Sequence, residues 1–225
     1  MPNKATKTPC NETAQLILSE ARQLFARRGF DGVSINDVAA AAGVSKANIF
    51  HHFGSKQALY MEVLKYSLNE FGELTELLQP ERAPLEERLY HFMLAHASHL
   101  RRHPESAHVL QRELLENRDE VTRQLADQTT ITQFRRLFDL LQEAQQAGEI
   151  RADVDLAALV VMVIGVVSFQ FQVRSLLRHQ PEVGFADDPE QYSRLLAHIL
   201  AHGIGPVNTD PIGSAGAFFS SGKAE

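Results

Sequence analysis

Apolar residues recur at helical spacing along most of this 225-residue chain. In the first such run Ile17, Ala21 and Leu24 share one face of a helix, and Gly29 stands where a glycine commonly ends one. Stretches of alternating apolar and polar residues, which would predict β-strands, do not reach a useful length. The sequence is therefore predicted to fold as an all-α protein.

Capping residues, glycines and prolines divide this pattern into nine predicted helices. The first four are expected at 13–29, 34–43, 45–54 and from Ser55 to near Leu78. The other five are expected at 85–103, 104–115, 119–148, 155–179 and 189–202. Residues 1–12 are predicted to be a disordered basic arm, and residues 205–225 a disordered tail.

Several sequence features indicate the cellular compartment in which the protein is expected. Cys10 is the single cysteine, which excludes a disulfide framework and a thiolate zinc cluster and fits a reducing cytosol. Lys4 and Lys7 are not followed by the apolar segment of a signal peptide. The uncharged run from Leu156 to Val173 is at the lower length limit for spanning a bilayer, and we interpret it as a buried helix. We expect a cytoplasmic protein without a membrane partner.

The net charge of −6 is unevenly distributed along the chain. Residues 1–56 carry a net charge of +3, whereas residues 57–225 carry −9. A small basic segment attached to an acidic remainder is typical of a nucleic-acid-binding head whose body stays away from phosphate.

The basic segment also meets the requirements of a helix-turn-helix. Such a unit needs a small residue where its helices cross, a glycine in the turn, an apolar residue after it and an apolar anchor on the second helix. Ala39, Gly43, Val44 and Ile49 occupy these four positions at matching spacing. Each feature alone is common in ordinary helical corners, but the ordered combination predicts a DNA-binding unit.

The second helix of this unit presents a mixture of donors, small residues and aromatic surface that suits base edges and phosphates. These residues are Lys46, Ala47, Asn48, Phe50, His51 and His52. Lys56 follows at the start of the next helix, where its charge adds to the positive end of the helix dipole. We expect it to clamp a phosphate.

The segments FDGVS at 30–34, AGVSK at 42–46 and FHHF at 50–53, together with Ile35, Val38, Ala39, Ser55 and Lys56, resemble the DNA-binding domain of TetR-family transcriptional regulators. The resemblance is close over about residues 13 to 64, and in the later helices it extends only to their number and length. It implies an all-helical homodimer with three N-terminal helices for DNA, a ligand-binding body and a fourth helix that joins them. The corresponding domains are 13–56 for DNA and 57–204 for ligand binding and dimerisation.

The resemblance also implies individual DNA contacts. Phosphate contacts are expected from Ser34, His52 and Lys56, and groove contacts from Ser45, Lys46, Ala47, Asn48, Phe50 and His51. Phe50 departs from the family, which most often has tyrosine there. A hydroxyl contact is therefore lost, while an apolar contact to a thymine methyl group remains available.

In the body, the helix 155–179 is apolar on more than one face, and its neighbour 189–202 is amphipathic. A helix that is apolar nearly all round must be covered on all sides. We expect these two helices to pair with their twins in a four-helix dimer interface, the alternative being a central core helix of a monomer. The predicted interface residues are Leu159, Val163, Val167, Phe171, Leu195 and Ile199.

The sequence also suggests a mainly apolar ligand pocket, although the same positions would suit plain core. Its predicted lining is Phe92, Met93, His96, Phe134, Phe138, Met162 and Phe169, with Arg112 either facing an acidic ligand or lying at the surface. His96, His99 and His103 share one helix face and have metal-ligand spacing, but buried or pocket-lining histidines are the preferred interpretation. No metal or other cofactor is expected.

These features favour a transcriptional repressor that leaves a palindromic operator when a small hydrophobic or amphipathic effector binds. The sequence does not identify that effector. An alternative is a DNA-bound adaptor of the same fold, whose body would have no open cavity and would bind a protein. An enzyme is not expected, because the sequence has no glycine-rich phosphate loop, nucleophile elbow or HExxH motif.

Overall fold

The computed structural model describes residues 9–70, 83–116, 118–128 and 132–205. In these residues the chain forms ten α-helices and no strand. They are α1 (Pro9–Arg28), α2 (Ile35–Ala42), α3 (Lys46–Phe53), α4 (Lys56–Glu70), α5 (Leu85–Arg102), α6 (Pro104–Glu116), α7 (Asp119–Gln128), α8 (Thr132–Gln146), α9 (Leu156–Leu177) and α10 (Pro189–Ile204). The predicted all-α class is confirmed.

The helix count differs from the prediction by one. The stretch expected as a single helix at 119–148 contains α7 and α8. Residues 129–131 between these two helices lie outside the described residues. Helix α1 begins at Pro9, earlier than predicted, and α4 is described only to Glu70. The predicted continuation of the fourth helix to Leu78, residues 1–8 of the basic arm and residues 206–225 of the tail lie outside the described residues.

Side-chain caps and one left-handed glycine fix the short helices α2 and α3. Ser34 Oγ accepts from the Asp37 backbone N–H at 3.1 Å, and the Ser34 N–H donates to Asp37 Oδ2 at 2.7 Å, which completes a capping box. The Ser34 hydroxyl also donates to Asp37 Oδ2, and this bond and the one from the Ser34 N–H lower the pKa of the Asp37 carboxyl group. Ser45 caps α3 through the Asn48 N–H at 3.1 Å. Gly43 has a φ of 65°, which allows the tight turn between the two helices.

Two apolar cores organise the molecule. The head core lies among α1, α2, α3 and α4 and contains Ile17, Ala21, Phe25, Val38, Ile49, Leu59, Tyr60 and Leu64. Val109 of α6 and Val121 of α7 are also buried in this core. The body core lies among α5, α8, α9 and α10. Helix α6 therefore belongs to the packing of the head as well as to the body.

Helix α9 is the one helix in the described part of the chain that is long and apolar enough to cross a membrane. One of its faces is buried in the body core, where it packs against α5 and α8. Its other face exposes Val161, Met162, Phe169 and Leu176. Helix α10 packs along α5 and exposes Leu195 and Ile199.

This orientation corrects the predicted dimer contacts on α9. Leu159, Val163 and Val167 are buried in the core of their own protomer. Phe171 is half-buried and lines an internal cavity. A helix that is apolar all round does not reveal from its sequence which face turns toward its own core. Leu195 and Ile199 are the predicted interface residues that the structure leaves exposed.

Candidate nucleic-acid interface and body cavity

Helix α3 is anchored by Ile49, whose side chain is buried in the head core. This anchor turns the rest of the helix outward. Lys46, Ala47, Phe50 and His51 are exposed, and Asn48 and His52 are partly exposed. The other predicted DNA contacts are also at the surface: Ser34 and Ser45 are exposed, and Lys56 is partly exposed.

The structure brings four of these residues to one place. Ser34, Lys46, Phe50 and Lys56 line the same surface depression, together with residues 31–33 and 35–37. They come from the N-termini of α2, α3 and α4 and from the exposed side of α3. A helix N-terminus presents unpaired backbone N–H groups and a partial positive charge, so this convergence suits a phosphate backbone.

Both lysines of the depression rest on aromatic rings. Lys46 Nζ lies 5.8 Å from the ring centroid of Phe50, and Lys56 Nζ lies 4.2 Å from that of Phe30. Among the described residues, no carboxylate is within ion-pair distance of either ammonium group. The nearby Asp37 instead pairs with Arg28 at 3.6 Å and caps α2. The two ammonium charges are therefore available to an external anion.

A second feature is a cavity of about 350 Å³ whose lining residues belong to α4, α5, α6, α7 and α9. Its wall is mainly carbon, from residues that include Leu68, Leu100, Leu110, Leu114, Leu125, Ile164 and Phe171. A few polar side chains interrupt this wall, among them Ser67, His96, Glu113 and Ser168. Such a surface suits a mostly apolar molecule that carries a small number of polar groups.

Of the eight residues predicted to line a pocket, the structure places His96 in the cavity wall. Phe92 and Met93 lie one turn earlier on α5 and fill the body core, against which Phe134 and Phe138 also pack. Met162 and Phe169 are exposed on the outer face of α9. Arg112 lies against Gly29 at the end of α1. These seven residues do not line this cavity, which on α5 is bordered by His96, His99 and Leu100.

His96 is a buried, neutral imidazole. Its Nε2 lies 3.1 Å from Ser168 Oγ on α9. Burial, assisted by the neighbouring His99, lowers the pKa of His96 to about 3. His99 also lines the cavity, and its ring centroid lies 4.9 Å from that of His103. The metal-ligand spacing noted for His96, His99 and His103 does not produce a metal-binding group in the described residues. The potential ligands that lie close enough to share an ion are other side chains.

The structure also reveals a polar cluster that sequence reasoning missed. Glu113 of α6 is 1% exposed and lines the cavity. Its Oε2 accepts a hydrogen bond from the Tyr60 hydroxyl of α4 at 2.9 Å and another from the Arg118 guanidinium. Burial and the adjoining Glu113 carboxylate raise the pKa of Tyr60. One sequence feature could have indicated that Glu113 is buried: it lies one helical turn beyond Val109, on the inward face of α6.

The cluster continues into the head through Phe30. The Arg118 guanidinium lies 5.0 Å from the centroid of the Phe30 ring and 5.2 Å from that of Tyr60. Tyr60 packs edge-on against Phe25 in the head core, with centroids 4.9 Å apart. Phe30 also supports the ammonium group of Lys56 in the surface depression. An unbroken series of contacts thus joins the cavity wall to the surface depression that Lys56 lines.

Comparison with known proteins agrees with this architecture. A family model described as "Bacterial regulatory proteins, tetR family" matches residues 17–63. A second, described as "Tetracyclin repressor-like, C-terminal domain", matches residues 86–201, more than half of the chain. The chain belongs to the TetR family. It is a helix-turn-helix transcriptional regulator, as the resemblance over the head implied.

Individual relatives share the fold and parts of the sequence. The transcriptional repressor KstR2 of Mycolicibacterium smegmatis is 29% identical over 140 residues, which cover 62% of this chain and 68% of that protein. The regulator AcrR of Shigella flexneri is 38% identical over 71 residues, about a third of either chain. The crystal structure of the regulator FadR from Bacillus subtilis in complex with stearoyl-CoA has a TM-score of 0.70 at 23% identity, covering 84% of this chain and 98% of that chain.

Replacing Lys56 by alanine should weaken the binding of this TetR-family regulator to every DNA duplex, because it removes a phosphate contact. The magnitude of the slope of log affinity against log salt should fall by about one for each protomer bound. Lys46→Ala and Asn48→Ala should instead change the preference among base pairs. Fluorescence anisotropy with labelled duplexes over a range of salt concentrations measures both effects.

The matched control is Lys65→Ala. Lys65 also lies on α4, but its ammonium pairs with Glu62 at 2.8 Å, and the residue lies outside the surface depression. It should leave DNA affinity and salt slope unchanged. An unaltered salt slope for Lys56→Ala would contradict the assigned phosphate contact.

The neutral state of His96 predicts an acid-sensitive fold. An unfolded histidine takes up a proton near pH 6.5, whereas the folded imidazole stays neutral down to about pH 3. The free energy of unfolding should therefore fall as the pH decreases below 6.5. Between pH 7 and pH 5 the wild type should lose about 2 kcal/mol more than His96→Gln in urea titrations.

His179→Gln, which replaces an exposed histidine, is the control for the same titrations. Equal losses of stability in the wild type and in His96→Gln between pH 7 and pH 5 would show that His96 titrates normally in the folded protein.

Proposed function

We propose that this TetR-family regulator is a homodimeric repressor that binds a palindromic operator and is released by a small, mainly apolar effector held in the body cavity. The observation that carries the proposal is the buried Glu113 carboxylate. It is part of the cavity wall and at the same time accepts a hydrogen bond from Tyr60 in the head core. A molecule in the cavity therefore has a direct physical route to the DNA-binding unit.

The DNA-facing surface supports specific recognition. Lys46, Asn48, Phe50 and His51 lie on the accessible side of α3, the position of a recognition helix in the major groove. Lysine and asparagine side chains donate to base edges, and the Phe50 ring offers an apolar contact for a thymine methyl group. Phosphate contacts from Ser34, His52 and Lys56 would fix the orientation of the helix. The proposed function also requires a cytoplasmic protein, since the operator DNA of a bacterial regulator lies there.

The outer face of α9 supports the homodimer. Exposed positions on this face recur in steps of three and four residues, which is the spacing of a helix surface that packs against another helix. These positions are Met162, Gly165, Phe169, Gln172 and Leu176. Leu195 and Ile199 extend this apolar surface onto α10. A two-fold dimer formed through these faces would present two identical α3 helices, which requires a palindromic site.

The composition of the cavity supports an amphipathic effector. Most of its wall is apolar, and polar groups such as Ser67 and Glu113 are confined to a few places. The regulator FadR from Bacillus subtilis, which has the same fold, was crystallised with stearoyl-CoA. An apolar chain in the cavity with a polar group near Glu113 fits this wall. The presence of a cavity also counts against the alternative of an adaptor without a small-molecule ligand.

The coupling depends on the Glu113 carboxylate, whose Oε2 accepts both hydrogen bonds, while its Oε1 is buried without a hydrogen-bond partner. An effector that donates to this carboxylate or displaces it changes the hydrogen bonds that Tyr60 and Arg118 make. Both partners touch Phe30, so their movement shifts the support of Lys56 and the packing of the head. A coupling free energy of about 1–3 kcal/mol would change operator affinity about 5- to 150-fold.

Binding-site selection from a library of random DNA duplexes tests the proposed function. The purified protein should enrich a sequence with two inverted half-sites whose centres lie about one helical turn or somewhat more apart. The Lys46→Ala, Asn48→Ala double variant, selected in parallel, should enrich a different or weaker sequence. Failure of the wild type to enrich any sequence would contradict sequence-specific regulation.

The homodimer is tested by charge on the outer face of α9. Phe169 is 63% exposed, so Phe169→Glu should leave the protomer folded but break the dimer. Leu115→Glu is the control, since Leu115 is an exposed apolar residue on α6, away from this face. Light scattering should report monomers for the first variant and dimers for the second. A stable dimer of Phe169→Glu would place the interface elsewhere.

A further inference from the structure

Three potential metal ligands meet on the body surface, away from the cavity and from α3. Glu86 belongs to the first turn of α5, and His198 and His202 are one turn apart on α10. Glu86 Oε1 lies 3.2 Å from His198 Nδ1, and Glu86 Oε2 lies 3.7 Å from His202 Nε2. One ligand atom from each side chain lies within 4.8 Å of the other two. We propose that these three residues bind one zinc ion.

The donor set matches the chemistry of zinc. Two imidazole nitrogens and one carboxylate oxygen are common zinc ligands, and histidines four residues apart on a helix point to the same side. Ligand atoms at about 2.1 Å from a tetrahedral zinc ion lie about 3.4 Å from one another. In the structure one ligand atom from each side chain lies within 4.8 Å of the other two, so side-chain rotations would bring the three atoms to this spacing.

The same side chains could instead form ion pairs between Glu86 and protonated imidazoles. The arrangement favours a metal, because the rings of His198 and His202 are only 4.3 Å apart between centroids. At this separation one metal ion can bind a ring nitrogen of each histidine together with an oxygen of Glu86. The nearby cation Arg194 is held by Glu190 at 3.1 Å and therefore does not occupy the Glu86 carboxylate.

The position of the site indicates what zinc would do. Helices α5 and α10 pack along each other, and the ligands join the first turn of α5 to the last two turns of α10. Zinc would therefore tie the first helix of the body to its last one. The histidine side chains are 60% and 67% exposed, so an ion can enter from solvent and keep a water molecule as its fourth ligand.

Zinc binding is measured with full-length protein purified without a polyhistidine tag, stripped with a chelator and titrated with zinc chloride against a chromogenic indicator. The wild type should bind one zinc ion per protomer at this site. His198→Ala and His202→Ala should each weaken that binding by about tenfold or more, and Glu86→Gln should also weaken it. His179→Ala, which removes an exposed histidine outside the cluster, is the control and should bind as the wild type does.

Thermal unfolding provides an independent measurement. Because a ligand that binds the folded state stabilises it, zinc should raise the Tm of the wild type and of His179→Ala but not that of the His198→Ala, His202→Ala double variant. Circular dichroism without zinc verifies that the variants are folded, and Glu86→Gln tests the site while keeping side-chain size. Equal zinc affinity or an equal rise in Tm for the wild type and the double variant would overturn the proposal.

Discussion

The structure depends on how one buried carboxylate is satisfied. A charged group removed from water is stable only when it is paired and hydrogen-bonded. Oε2 of Glu113 achieves this with the Tyr60 hydroxyl of α4 and the Arg118 guanidinium just before α7, while Oε1 has no hydrogen-bond partner. Because Tyr60 belongs to the head core and Glu113 to the cavity wall, their hydrogen bond links the position of the head to the state of the cavity wall.

Packing contacts between α6 and the head also couple the positions of these two parts of the molecule. Helix α6 contributes Val109 to the head core, and Arg22 of α1 donates to Ser106 of α6 at 3.2 Å. Phe30 lies between the Arg118 guanidinium and the Lys56 ammonium. A shift of α6 would therefore be transmitted to the N-terminus of α4, where Lys56 lines the surface depression. Contacts of this kind give an effector in the cavity a means to favour one orientation of the head over another.

The sequence predicted those parts of the molecule that depend on local rules. The capping serines Ser34 and Ser45, the left-handed Gly43 and the buried Ile49 all follow from spacing and residue type, and they define the surface of α3. The orientation of α9 did not follow, because a helix that is apolar on all sides has no sequence marker for its inner face. Val163 was therefore assigned to the interface, whereas Met162 and Phe169 are the exposed residues. The Glu113 cluster and the Glu86–His198–His202 group were missed because each joins distant parts of the chain: Tyr60 lies 53 residues from Glu113, and Glu86 lies 112 residues from His198. These side chains meet only in the folded chain.

A double-mutant cycle on Tyr60 and Glu113 tests the central claim most directly. Operator affinity would be measured for the wild type, Tyr60→Phe, Glu113→Gln and the double variant, using the duplex obtained by selection. Tyr66→Phe, an exposed tyrosine on the same helix, would serve as the control. If the buried contact connects the cavity wall with the head, each single variant changes operator affinity, and the two effects are non-additive by at least about 0.5 kcal/mol. Wild-type affinity in both single variants, or strictly additive effects, would contradict the account.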